Sequence, residues 1–391
     1  MLSPLHETLA SHGACFGEVG GYERPNWFAR NGADPNYRYS YKRQNWFDFH
    51  AAEHLAVRAS LGVFDMSSFA KFEVTGKGAK ATLQYLAAAD MQVPVGQVVY
   101  TQFLDERGGI NADLSIARLA EERYWVITSI GSYSRDWWHI KRHLEDGVQM
   151  VDITQRYACL SLQGPNARAA LAKVAEHDLG TENFAFGTGC FMPLAGHQCW
   201  VQRLSYVGEL GFEIFIPAES AVGVYEAIMQ AGAEFEICNA GLHTLNSLRL
   251  EKGFRHWGHD IGAEDNLVQA GLSFVAKPDA GDFLGRDAFV AQKAAGLPDR
   301  RLVQFLLQDP EPLLYHNEAV LMDGEAVGYL TSAMYAHSFG AAMGMGYVNR
   351  PGLKADALAG ADFEIEVAGT RYPATASLKA FYDPTGARMR G

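Results

Sequence analysis

Over residues 111–118 apolar and polar positions alternate. Ala112, Leu114 and Ile116 share one face, and Asp113, Ser115 and Ala117 share the other. That period of two predicts a strand with at least one buried side. Residues 98–104 and 124–128 read as further strands, the former leading into a turn at Asp105-Glu106-Arg107-Gly108-Gly109. Upstream, residues 48–60 predict a helix ending near Gly62, followed by strands at 64–67 and 71–74. A second helix, starting at Gly76-Lys77-Gly78, puts Ala79, Leu83, Leu86 and Ala87 on one face. A third covers 134–144.

A similar unit then recurs loosely. It has a strand at 159–162, Gly164-Pro165-Asn166 opening a helix, and strands at 200–205 and 212–216 around Gly208-Glu209-Leu210-Gly211. Helices follow at 219–231 and 242–251, the latter stopped by Gly253. From about residue 290 the pattern changes to short strands at 301–307, 319–322, 325–331, 344–348, 362–367 and 370–377, as in a small antiparallel barrel or sandwich. The expected division is an N-terminal arm at 1–45, mixed α/β units at 46–150 and 151–290, and a β-barrel at 291–391. The arm lacks periodicity, but its Gly, Tyr, Trp, Arg and Asn content predicts ordered packing on the body.

Composition narrows the function. The 391 residues are 48% hydrophobic, enough for a sizeable core without staples. Lys and Arg number 33 against 45 Asp and Glu, a net charge of -12. Such a chain repels phosphate backbones and anionic lipid, which excludes nucleic acid as a general partner. An anionic ligand would need local Arg or Lys. No apolar run is long enough to span a bilayer, and residues 1–7 show no basic-then-apolar leader. Five scattered cysteines without a CxxC argue against a zinc site or disulfide framework. The expected location is cytoplasmic.

The chain lacks GxxxxGK[ST], a strand-to-helix GxGxxG and GxSxG, so it shows no phosphate loop, dinucleotide fingerprint or hydrolase elbow. Gly340, Gly344 and Gly346 have the wrong spacing. His256-x-x-His259, followed by Asp260, is the best metal candidate, but Gly253 and Gly258 break the helix there and no third ligand is evident. No metal is expected. Asp113 is either a solvated strand carboxylate or an inward one whose raised pKa suits proton handling on an amine. Glu213, beyond the turn that begins at Ser205-Tyr206, is either surface charge or an acceptor for two adjacent N–H groups of a pterin- or guanine-like edge. Arg249 makes either a helix salt bridge or a contact to a ligand carboxylate.

Five segments in order resemble the folate-binding aminomethyltransferase family, which includes the glycine cleavage T-protein and the C-terminal halves of dimethylglycine and sarcosine dehydrogenases. They are Phe64-Asp65-Met66-Ser67, Gly108-Gly109-Ile110-Asn111-Ala112-Asp113-Leu114, Leu162-Gln163-Gly164-Pro165-Asn166-Ala167, residues 205–213, and Ser247-Leu248-Arg249-Leu250-Glu251. Tyr22-Glu23-Arg24-Pro25-Asn26-Trp27-Phe28 and Ala52-Glu53-His54-Leu55-Ala56-Val57-Arg58 resemble the dehydrogenase branch specifically. The resemblance implies an α+β fold of two similar α/β domains and a C-terminal antiparallel barrel around a central hole that takes tetrahydrofolate. It places Asp113 beside the folate nitrogens as the catalytic residue and Glu213 on the pterin edge. It also makes Tyr100 and Tyr206 pocket tyrosines and puts Arg249 on the folate-binding surface.

Two departures shape the expected function. Ala112-Asp113 stands where glycine-cleavage members usually have adjacent aspartates, and a flavin domain like that of the dehydrogenases is not seen. The expectation is a tetrahydrofolate-dependent methyl or methylene transferase acting on a small methylated donor, such as dimethylglycine or sarcosine. If iminium or formaldehyde is the one-carbon source, a separate flavin oxidoreductase subunit supplies it; otherwise the methyl donor is used directly. The alternatives are a glycine cleavage aminomethyltransferase served by a lipoyl carrier protein, a sulfonium or methoxy demethylase, and a non-catalytic folate-binding regulatory protein.

Overall fold

The computed structural model describes residues 1–391 and contains two large sheets, a closed barrel and a two-stranded N-terminal hairpin. The first sheet is antiparallel, in the order Val98–Leu104, Ile110–Ala120, Arg123–Thr128, Ala70–Thr75, Gln149–Asp152. Ala112, Leu114 and Ile116 join Phe72, Val74 and Val126 on its outer face, under the helices Ala79–Leu86 and Tyr133–Lys141.

The second sheet runs Gly189–Leu194, His197–Gln202, Gly211–Pro217, Tyr157–Gln163, Gly62–Asp65, Cys238–Asn239. Only the last pair is parallel. Its outer face packs Leu160, Leu162, Phe212 and Ile214 against the helices Ala167–Leu171 and Ala221–Gly232. The sheets are not separated by sequence position. Gly62–Asp65 precedes every strand of the first sheet, yet it pairs with Tyr157–Gln163. All four of its residues are buried, so it needs cover on both faces, and an interior place in the second sheet supplies that.

Strand alternation fixes what lies between the sheets. Ala117, Trp125 and Ile127 of the first meet Cys159, Trp200 and Phe215 of the second in one apolar cluster. Trp125 is central, with ring centroids 6.2 Å from Trp200 and 5.8 Å from Phe215. Truncating such a side chain to alanine costs about 3–5 kcal/mol. The body is therefore helix, sheet, sheet, helix, and the polar side of each alternating strand faces the other sheet.

The C-terminal barrel is closed and antiparallel: Arg301–Leu307, Ala341–Val348, Glu325–Ala336, Ala319–Met322, Phe363–Val367, Thr370–Ser377. A Cβ on Gly346 would lie 2.2 Å from the Tyr329 carbonyl oxygen, so this glycine serves close strand packing. The N-terminal arm is a hairpin of Ala14–Val19 and Tyr22–Phe28.

Helix Phe47–Ala59 joins these parts through the dehydrogenase-like segment. Glu53 accepts from the backbone N–H groups of Phe28 (2.8 Å) and Gly241 (2.9 Å) and from Thr244 Oγ1 (2.6 Å). His54 Nδ1 contacts Ser247 Oγ at 2.7 Å. Arg58 pairs with Glu209 (3.1 Å) and Glu251 (2.9 Å). Glu251 also accepts from the Ser338 N–H of the barrel.

Candidate active site

The same alternation builds the site. Asp113 leaves its strand on the side of Ala117, toward the second sheet. Gln102 lies directly opposite on the neighbouring strand and donates from Nε2 to Asp113 Oδ1 at 2.6 Å. The second sheet repeats the device. Glu213 shares the inner face with Phe215, and Gln202 opposite donates from Nε2 to Glu213 Oε2 at 2.7 Å. Trp200 Nε1 donates to Gln202 Oε1 at 3.0 Å, which turns the amide nitrogen toward Glu213. Each sheet thus presents one inward carboxylate steadied by a cross-strand glutamine.

Their environments differ. Burial raises the Asp113 carboxyl to about 6, opposed by the Tyr100 phenol, the Gln102 amide and the charge of Arg255. Burial also raises Glu213, with only Gln202 opposing. Oε1 of Glu213 accepts no hydrogen bond from the protein, and the Gln102 Oε1 atom is buried without a partner.

Tyr100 sits two residues before Gln102 on the same face and keeps 41% of its surface accessible. Desolvation nevertheless drives its phenol pKa well up, followed by the neighbouring Asp113 charge. A side chain that is accessible yet desolvated faces an enclosed hollow rather than bulk solvent. Tyr206 lies in the loop before Gly211–Pro217, donates to the Arg255 carbonyl at 2.7 Å and stacks on Phe254 with centroids 5.9 Å apart. Burial raises its phenol too, and the charges of Arg249, Asp113 and Asp260 reach it.

Arg249, on the helix Leu242–Glu251, is only 3% exposed. It pairs with Asp260 at 2.6 Å and donates to the Phe254 carbonyl (3.1 Å) and to Ser332 of the barrel (2.9 Å). Its Nε alone has no partner. Arg249 therefore anchors the segment 253–260 that carries Arg255. Arg255, which sequence reasoning missed, donates to the carbonyls of Gly253 (2.6 Å) and Ala270 (2.8 Å), and its charge acts on both Asp113 and Tyr100. His256 and His259 lie 4.6 Å apart between ring centroids, and burial pushes His256 down to about 3. No group of three or more His, Cys, Asp or Glu could hold a metal ion, and no helix is long and apolar enough to cross a membrane.

Residues 5–280 match the GCVT N-terminal domain and residues 300–383 the glycine cleavage T-protein C-terminal barrel domain. The chain belongs to the glycine cleavage T-protein, or aminomethyltransferase, family. The T-protein of Bartonella henselae matches it structurally with a TM-score of 0.82 at 26% identity, covering 98% of both chains. Over its whole length the chain is 42% identical to 4-methylaminobutanoate oxidase (formaldehyde-forming) of Paenarthrobacter nicotinovorans, covering 47% of that protein. It is 35% identical to human mitochondrial sarcosine dehydrogenase, over 99% of this chain and 47% of the other. The chain thus spans about half the length of these two relatives.

Aminomethyltransferase-family enzymes transfer a one-carbon unit with tetrahydrofolate. The polar groups on the inner faces of the two sheets suit a flat, polar heterocycle. The free Glu213 Oε1 and Gln102 Oε1 are acceptors awaiting N–H donors, and Tyr100 offers an accessible ring.

Proposed function

We propose that this chain is a tetrahydrofolate-dependent one-carbon transferase acting on a small N-methyl amine donor, such as sarcosine or dimethylglycine. The observation that carries the reading is the pair of inward carboxylates, Asp113 and Glu213, on facing sheets. Glu213 accepts the pterin N–H edge through its free oxygen. Asp113, ionised above about 6, stabilises positive charge on the donor nitrogen or accepts a proton from it. Gln102 keeps that carboxylate oriented, and the charge of Arg255 favours its ionised form. Arg249, through Asp260 and Phe254, holds the segment on which Tyr206 and Arg255 meet. Tetrahydrofolate supplies the nucleophilic nitrogens, and the site holds donor and acceptor in attack geometry.

Both relatives are named for N-methylated substrates, and each is about twice as long as this chain. A flavin oxidoreductase, as a further domain or a separate subunit, would complete the reaction by generating the transferable carbon. The test is anaerobic calorimetric titration with tetrahydrofolate. Micromolar binding, weakened about tenfold or more by Glu213→Ala, is expected. No binding at millimolar ligand, or equal binding by the variant, would refute the assignment.

A further inference from the structure

Two segments singled out in the sequence, Tyr22–Phe28 and Phe64-Asp65-Met66-Ser67, supply no residue to the folate site proposed above. They converge on one cavity of about 290 Å³, lined by Arg24, Asp65, Ser67, Ser68, Thr154 and Tyr157 among others. It opens beneath the N-terminal hairpin, where Asp65 shares the outer face of the second sheet with Leu160. Glu213 faces Ser161 across the ladder, and Tyr157 is four residues further along that strand, about 13 Å away. Burial pushes up the Cys159 thiol, and the charges of Glu213 and, less strongly, Asp65 add to that.

Four charged groups line the cavity; the Met1 ammonium donates to the Gly21 carbonyl, and two of the others, Arg24 and Asp65, are unmatched. Arg24 makes no ion pair and no side-chain hydrogen bond, and its buried Nε has no partner. Burial lowers its guanidinium pKa. Its exposed neighbour Glu23 is occupied by His6 at 2.9 Å. Asp65, 6% exposed, accepts one hydrogen bond, from the Ser67 N–H at 2.9 Å to Oδ1. Oδ2 has none. The nearby ammonium of Lys71 is committed to the carbonyls of Ser67, Phe69 and Thr154. Nor are Arg24 and Asp65 within 4.0 Å of one another. Asp65 is buried and Arg24 half-buried, and unpaired charges so placed cost free energy unless something bridges them.

We propose that this cavity is a second small-molecule site that binds a compact zwitterion, an amino acid or N-methylamino acid. Arg24 takes the carboxylate, and Asp65 takes the ammonium. The guanidinium fork suits a carboxylate, and Ser68 and Tyr157 offer further hydroxyls. The site does not depend on the folate reading, because it is tested without folate.

The test titrates the whole chain with sarcosine, then glycine, acetate and methylamine, by calorimetry in folate-free buffer. Saturable sarcosine binding is expected, with acetate and methylamine at least about tenfold weaker. Arg24→Met and Asp65→Asn should each weaken sarcosine about tenfold or more, while Arg371→Met on the exposed barrel surface leaves it unchanged. Arg24→Lys, which keeps the charge, should recover part of the loss and guards against a folding defect in Arg24→Met. Acetate binding as tightly as sarcosine would show a simple anion site and overturn the zwitterion assignment. So would absence of binding, or binding that survives both Arg24→Met and Asp65→Asn.

Discussion

Replacing Asp113 by asparagine should stabilise the protein while abolishing its transfer activity. Burial raises the Asp113 carboxyl from 3.8 to about 6 in the folded chain. The ionised form is therefore disfavoured by folding, the reverse of a salt-bridged carboxylate. Stability attributable to this group is fully present below 3.8, falls as pH rises, and is lost above about 6. About two pKa units correspond to about 3 kcal/mol at about pH 8, falling to about half that at about pH 5. Asp113 retains some surface toward the hollow, so solvent screening makes these upper bounds. The replacement amide keeps the shape, and its carbonyl can still accept from Gln102, but it carries no charge to desolvate. Thermal unfolding of wild type and Asp113→Asn at the two pH values measures the effect. The variant should melt higher, with the larger gain at about pH 8. Equal or lower melting at about pH 8 would refute the reasoning, because an ionised carboxylate in this hollow would then cost nothing.

Other residues test the frame around that centre. Arg249→Met leaves Asp260 buried without its ion-pair partner and should cost about 3–5 kcal/mol, read as a lower denaturant midpoint. An unchanged midpoint with lost tetrahydrofolate binding would make Arg249 a ligand contact instead. Tyr206→Phe removes the hydrogen bond to the Arg255 carbonyl and should lower kcat with little change in melting temperature. Unchanged kcat would leave Tyr206 a packing residue. Burial holds His50, His54, His243 and His337 below 6.5, with His243 at about 4 and His337 at about 3. Their stabilisation is present above 6.5 and is lost as pH falls through those folded values, because the unfolded chain takes up the protons first. Melting temperature should drop on acidification below about pH 6.5, and His337→Phe should flatten that slope. An identical slope in the variant would rule His337 out.

Much of the fold is legible from periodicity, and the failures have physical causes. Strand Val98–Leu104 and helix Leu242–Glu251 have the bounds the pattern predicts. Gly189–Leu194 and Gln149–Asp152 escape because they are edge strands, one with Pro193 and the other largely exposed, so neither needs strict alternation. Glu325–Ala336 runs past residue 331 because a register shift between Leu330 and Ser332 breaks the period. The face of Asp113 is undecidable from pattern because its polar side meets a second sheet, and a one-strand pattern cannot distinguish that from water. Gln102 stands two residues from Tyr100, on its face, but its pairing with Asp113 depends on a register shift between Phe103 and Leu104 that no spacing rule supplies. Arg255 has no signal at all, since it lies in an irregular segment and is fixed by the backbone carbonyls of Gly253 and Ala270.

The repeated glutamine–carboxylate pair shows how similar units reach different chemistry. Cross-strand pairing gives each sheet the same element, an inward acid held by an amide, so the pair alone cannot assign roles. The surroundings do. Glu213 has only Gln202, which leaves one oxygen free and no counter-charge beside it, an arrangement suited to receiving neutral N–H donors. Asp113 has Tyr100 and the charge of Arg255 as well, so its raised pKa rests near the range where a proton can be held or released. The segment that brings Arg255 there is tied to the barrel through Arg249 and Ser332, so the third domain helps set the acidity of a residue on the first sheet. Ser332→Ala should therefore shift the acid limb of the pH–rate profile along with any loss of stability, whereas a loss of stability alone would confine the barrel to a scaffolding role.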